Sequence, residues 1–142
     1  MIVLDVNILF YSYSSVSPEY EKARKCVEKL FSGAELVGLP WQTIAAFLRI
    51  STNPRLPGAR PAIEAVEEVE GWLSQPNVRI VTPGDDHWRV LRRVMVEGQA
   101  YGPLVSDAQI AALAIENGAV LYSSDRDFAR FPGLRWVNPL AP

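Results

Sequence analysis

Two short, unbroken apolar runs, Ile2-Val3-Leu4 and Ala119-Val120-Leu121, constrain this chain more than any other feature of it. A strand with one wet face alternates apolar and polar side chains, whereas a strand covered on both faces reads as a continuous apolar run. Between these runs lie segments with helical spacing. Tyr20, Ala23, Val27, Leu30 and Phe31 make one stripe, with Ser17 as N-cap, Pro18 at the first helical position and Gly33 as the stop. WQTIAAFLRIST predicts a helix with Ile44, Phe47 and Leu48 on one face, closed by Asn53-Pro54. RPAIEAVEEVEGWLSQP predicts another, with Ile63, Val66, Val69, Trp72 and Leu73 inward. DDHWRVLRRVMVEG opens on acids that suit a helix dipole, and SDAQIAALAIENG ends with Gly118 as C-cap. Ile2 to Asp5, ELVGLP, NVRIVTP, AVLYSSD and LRWVN read as strands, and DFARFPG as a brief helical turn.

Strands alternating with helices predict the α/β class: one domain over 1–142, with a central parallel sheet flanked by helices on both faces. Right-handed crossovers put the carboxyl ends of such strands at one edge, where ligands bind. Asp5 closes the first strand and Asp125 follows the fourth, so both point to that edge. Asp107 stands in the first turn of its helix, and Asp127 lies just beyond Asp125. Local roles compete with a shared one. Asp107 suits a helix N-terminus. Asp125 and Asp127 suit the turn SSDRDF. Asp5 is hardest to explain locally, because an acid ending an apolar strand needs a partner.

Carboxylates gathered in one crevice repel, so either some stay protonated or a cation neutralises them. The only histidine, His87, and the only cysteine, Cys26, exclude a zinc constellation and an internal disulfide framework. Hard oxygen donors favour Mg²⁺ or Mn²⁺, which stabilise in-line displacement at a phosphate ester. A net charge of −2 argues against a non-specific nucleic-acid binder. The 11 arginines against 3 lysines suit phosphate contacts, and equally follow from a GC-rich genome. The N-terminus lacks the basic lead of a signal peptide and no run is long enough to span a bilayer, so a cytoplasmic location is expected.

MIVLDVNILFYSY, LPWQTIAAFLRISTNPR and SDAQIAALAIENGAVLYSSDRDFARFPGLRW, in that order, resemble the PIN-domain ribonucleases, and more closely the VapC toxins of type II toxin–antitoxin systems. The resemblance covers essentially the whole chain. It implies a Mg²⁺- or Mn²⁺-dependent endoribonuclease with Asp5, Asp107 and Asp125 as metal ligands and Asp127 as a helper. Asn7 and Ser123 would be the polar groups supporting those ligands. The implied partners are an RNA substrate, an antitoxin protein and a second copy of the chain. One position departs: the family usually has an acid, often Glu, early in the helix after the second strand, and Ala46 stands there. Glu35 is the nearest acid upstream, and Glu116 lies on the face opposite Asp107.

Around this site, Arg49 and Arg55 are candidates for RNA phosphates or solvated ends of a helix and loop. Arg126 is expected to pair with a neighbouring acid, and His87 to be a surface cap near Asp85 and Asp86. Trp41, Phe47, Trp72 and Trp88 read as core or interface residues, while Phe10, Tyr11 and Tyr13 extend an apolar surface beyond the first strand. Two rival functions remain at this level: an aspartate-nucleophile phosphatase acting through Asp5, and a non-catalytic PIN-like binding module favoured by Ala46.

Overall fold

The computed structural model describes residues 1–142. The chain runs β1 (Ile2–Leu4), α1 (Val6–Tyr13), α2 (Tyr20–Phe31), β2 (Val37–Pro40), α3 (Trp41–Ser51), α4 (Ala62–Leu73), β3 (Val78–Val81), α5 (His87–Glu97), α6 (Leu104–Glu116), β4 (Val120–Tyr122), a 3-10 helix (Arg126–Arg130) and β5 (Arg135–Val137). The five strands form one sheet in the order β3-β2-β1-β4-β5, and every pairing is parallel. β1 is central because it is covered on both sides. Ile2 and Leu4 join a core with α1 to α4, whereas Val3 faces the opposite core with α5 and α6. This is the expected three-layer α/β architecture.

Close approach fixes the glycine of β2. A Cβ on Gly38 would stand 2.5 Å from Val81 Cγ2. Gly118 ends α6 with φ +59, the left-handed conformation expected of its C-cap position.

Several expectations need correction. Residues 6–13 are a helix, α1, and Asp5 is its N-cap, not the last strand residue. The apolar sequence hid the helix because its capping acid reads equally well as a strand end. Ser17 does not cap α2. Ser17 to Glu19 form a turn, and the helix starts at Tyr20. On α4, Ala65, Val69 and Trp72 are buried, while Ile63, Val66 and Leu73 are exposed. The packed face is narrower than the apolar stripe, so the larger outer residues stay wet. Glu35 precedes β2 and accepts from the N-terminal amine at 3.3 Å. Phe47 and Trp72 are core, with ring centroids 4.5 Å apart, but Trp41 and Trp88 are exposed. No helix is long and apolar enough to cross a membrane.

Candidate metal centre

Strand register brings the first two acids together. β1 and β4 pair with Leu4 opposite Tyr122, so the residues following each strand emerge side by side. Asp5 emerges from β1 and is 7 % exposed. Its Oδ1 accepts from the Val6 amide at 2.8 Å, which starts α1. Its Oδ2 accepts from Ser123 Oγ at 2.7 Å. Ser123 is wholly buried just past β4. Its hydroxyl oxygen also accepts from the Asp125 amide at 3.0 Å and from Asn7 Nδ2 at 3.2 Å. Asn7 Oδ1 accepts from the Ser124 amide at 3.3 Å. These bonds hold the ends of β1 and β4 in one geometry.

α6 contributes the third acid. Asp107 lies in its first turn, half-buried, and makes no capping hydrogen bond. Its place in the first turn suits the helix dipole, as its sequence position allows, and leaves both carboxylate oxygens free of hydrogen bonds to the helix. Asp125 does cap: its Oδ1 accepts from the Asp127 amide at 2.9 Å and opens the 3-10 helix. Asp107, Asp125 and Asp127 each present a carboxylate oxygen, and these oxygens lie within 4.8 Å of one another.

The electrostatics match this crowding. Burial, then the charges of Asp125, Asp5 and Asp127, push the Asp107 carboxyl up to about 6, against a weaker pull from Arg130. Burial also raises Asp5, and Asp125 adds to the rise, while the bonds from Ser123 and Val6 oppose it. So four carboxylates from three parts of the chain share one field. Oxygens held about 2.1 Å from one hard divalent cation stand about 3 to 4.2 Å apart, so three that lie within 4.8 Å of one another would need only small side-chain rotations to share one. The donors are all oxygen, and the site fits a hard divalent cation.

A sequence model of the family described as "PIN domain" matches residues 2–134. The chain belongs to the PIN-domain family. This PIN-domain protein is 40% identical over 139 residues to Ribonuclease VapC48 of Mycobacterium tuberculosis (strain ATCC 25618 / H37Rv), covering 96% of each chain. It is 36% identical over 141 residues to Ribonuclease VapC33 of the same strain, covering 99% of each. Its fold is similar to that in the crystal structure of VapBC2 from Rickettsia felis bound to a promoter DNA fragment. That match has a TM-score of 0.72 at 19% identity, covering 97% of this chain and 98% of the other.

The remaining sequence candidates of the PIN-domain protein lie elsewhere or differ from expectation. Arg49, on α3, and Arg55, beyond it, are exposed and outside the acidic cluster. Arg126 is exposed and pairs with none of the acids, because its place in the 3-10 helix turns it to solvent. His87 is not a surface cap. Its Nδ1 lies 2.5 Å from Glu116 Oε2, and Glu116 Oε1 accepts from the Gly84 amide at 3.1 Å. That pair, 29 residues apart in sequence, ties the start of α5 to the end of α6. Nothing in the local sequence signals it.

Proposed function

We propose that this protein is a metal-dependent endoribonuclease, the toxin half of a type II toxin–antitoxin pair, acting as one domain in the cytoplasm. The observation that carries the reading is the carboxylate crevice at the sheet's carboxyl edge, where Asp107, Asp125 and Asp127 converge and Asp5 adds its charge. Relatives named as VapC ribonucleases support the RNA substrate, and a fold neighbour described as a toxin–antitoxin complex supports the antitoxin partner.

In this reading Asp5, Asp107, Asp125 and Asp127 hold Mg²⁺ or Mn²⁺. Such an ion, when bound, neutralises the crevice and stabilises charge developing on a phosphoryl group. Ser123 and Asn7 keep Asp5 and Asp125 aligned, as outer partners do for metal ligands. Asp107, raised to about 6, would serve as a ligand in its ionised form. One carboxylate orients a water and takes its proton as the water attacks phosphorus in line. The bond to the 3′-oxygen breaks and that oxygen takes a proton from solvent, leaving a 5′-phosphate and a 3′-hydroxyl. Both Asp5 oxygens are already hydrogen-bonded, which suits a fixed ligand better than a nucleophile. A second copy of the chain as partner is part of the same reading. Trp88 and Val96, both exposed on one face of α5, support it.

The test is cleavage of RNA by the purified chain with Mn²⁺, by wild type and by Asp5→Asn. Wild-type cleavage, lost with EDTA and lost in Asp5→Asn at an unchanged circular dichroism spectrum, is expected. Cleavage that survives either change removes the metal centre from the reaction.

A further inference from the structure

Trp41 is the first residue of α3, follows directly from β2, and is 56 % exposed. The pairing of Val3 with Gly38, continued along the two strands, sets Pro40 beside Asp5, one strand spacing or ~4.8 Å away. Thr43, in the same first turn, donates its hydroxyl to the Leu4 carbonyl at 2.9 Å. The start of α3 is therefore pinned against the end of β1, and Trp41 directly follows the residue set beside Asp5. It stacks on no other ring and lies under no cation.

The rest of that face is specific in chemistry. Trp41, Ala45 and Arg49 recur every fourth residue and are all exposed, with Arg49 about 12 Å along the axis. α3 has no acidic residue, although the chain is net negative. Arg24, Arg60 and Arg89 are paired with carboxylates, and Arg130 and Arg135 with backbone carbonyls. Arg49 and Arg55 have no such partner, as Arg92, Arg93 and Arg126 have none elsewhere, and of these five only Arg49 lies on α3. An aromatic, a small residue and free cations, leading away from a phosphate-cleaving crevice, complement a single strand of nucleic acid: the ring takes a base, the cations take phosphates. The apolar part is too small for a second copy of the chain. An indole this exposed offers about 150 Å², against about 800 Å² per partner in a stable interface.

We propose that Trp41 is a base-stacking residue that seats an unpaired nucleotide of the RNA next to the scissile phosphate, with Arg49 holding the strand beyond it. The proposal rests on the nuclease reading for its substrate, but binding tests it separately. The probe is a single-stranded decaribonucleotide carrying 2-aminopurine, added in EDTA so that nothing is cut, with its full duplex as comparison. The single strand, and not the duplex, quenches tryptophan fluorescence in the wild type, and Trp41→Phe removes that quench while still binding. Trp41→Ala weakens binding about tenfold, the effect of one lost base–aromatic stack. Where cleavage is measured with Mn²⁺, Trp41→Ala raises KM with kcat nearly unchanged, and Mn²⁺ affinity by calorimetry is unaltered. Equal binding by wild type and Trp41→Ala overturns the proposal. So does equal loss in Trp41→Ala and Trp41→Phe, or a fall in solution mass in Trp41→Ala, which would make the indole a contact between copies. If wild type quenches but never cleaves, the nuclease reading fails and the stacking site stands.

Discussion

Ser123 Oγ donates a 2.7 Å hydrogen bond to Asp5 Oδ2 across 118 residues of sequence. The same buried oxygen accepts from the Asp125 amide and from Asn7. One hydroxyl thus sets the orientation of one acid and the backbone of another. Ser123→Ala removes these bonds without adding bulk. We predict a 10- to 100-fold loss of Mn²⁺ affinity by calorimetry, the usual effect of removing a ligand's outer partner, with the fold retained. Unchanged affinity would mean that Asp5 is aligned by the Val6 amide alone.

Asp107 makes the centre sensitive to pH. Its carboxyl is raised to about 6 by burial and by Asp125, Asp5 and Asp127. Its value in the unfolded chain is near 3.9. Between these values the folded state binds more protons than the unfolded one, so without metal its contribution to stability grows as pH falls through 6 and shrinks as pH rises. A divalent ion competes with that same proton. Mn²⁺ affinity is therefore expected to fall as pH drops from 7 to 5, with protons released on binding at pH 6. Calorimetry in buffers of different ionisation enthalpy measures this release. A flat profile, or one that Asp107→Asn leaves unchanged, would assign the proton to another group.

Glu116 ties two helices together and lies outside the acidic group. It accepts from the Gly84 amide and pairs with His87, joining two helices on the face opposite Asp107's. Glu116→Ala leaves both groups without an acceptor in a half-buried setting. We expect a loss of about 1–3 kcal/mol in urea unfolding, with little change in Mn²⁺ affinity. A loss of affinity as large as that in Ser123→Ala would show that the pair governs where α6 presents Asp107.

Much of this was legible in the residues. Continuous apolar runs at 2–4 and 119–121 carry the parallel sheet, and acids at their ends carry the crevice. Helix α1 was hidden because Asp5 does two things at once, capping a helix and adding its charge to the field around Asp107. Asp127 was legible from its place just beyond Asp125, but the 3-10 helix that brings its carboxylate among the trio is a bend that residue order does not reveal. The His87–Glu116 pair depends on how α5 lies along α6, and no periodicity within either helix encodes that. The exposure of Trp41 is equally non-local. An aromatic at a helix start reads as core until the sheet edge beside it is known to be open.

Ala46 stands where the resemblance calls for an acid, and its placement allows a direct trial. Thr43 pins the first turn of α3 to the end of β1, and Ala46 lies one turn further, half-buried. A glutamate there adds a fifth carboxylate within reach of the crevice if its side chain turns toward Asp5. One further opposite charge near an ion, at a Coulomb gain of about 1–4 kcal/mol, tightens binding about fivefold or more. Ala46→Glu is thus predicted to raise Mn²⁺ affinity. Without metal it should lower the melting temperature, because another like charge enters the field that already raises Asp107. The two effects have one cause and must appear together. If calorimetry and melting both match wild type, the side chain at 46 faces away from the acids, and this centre was never built to include a residue from α3.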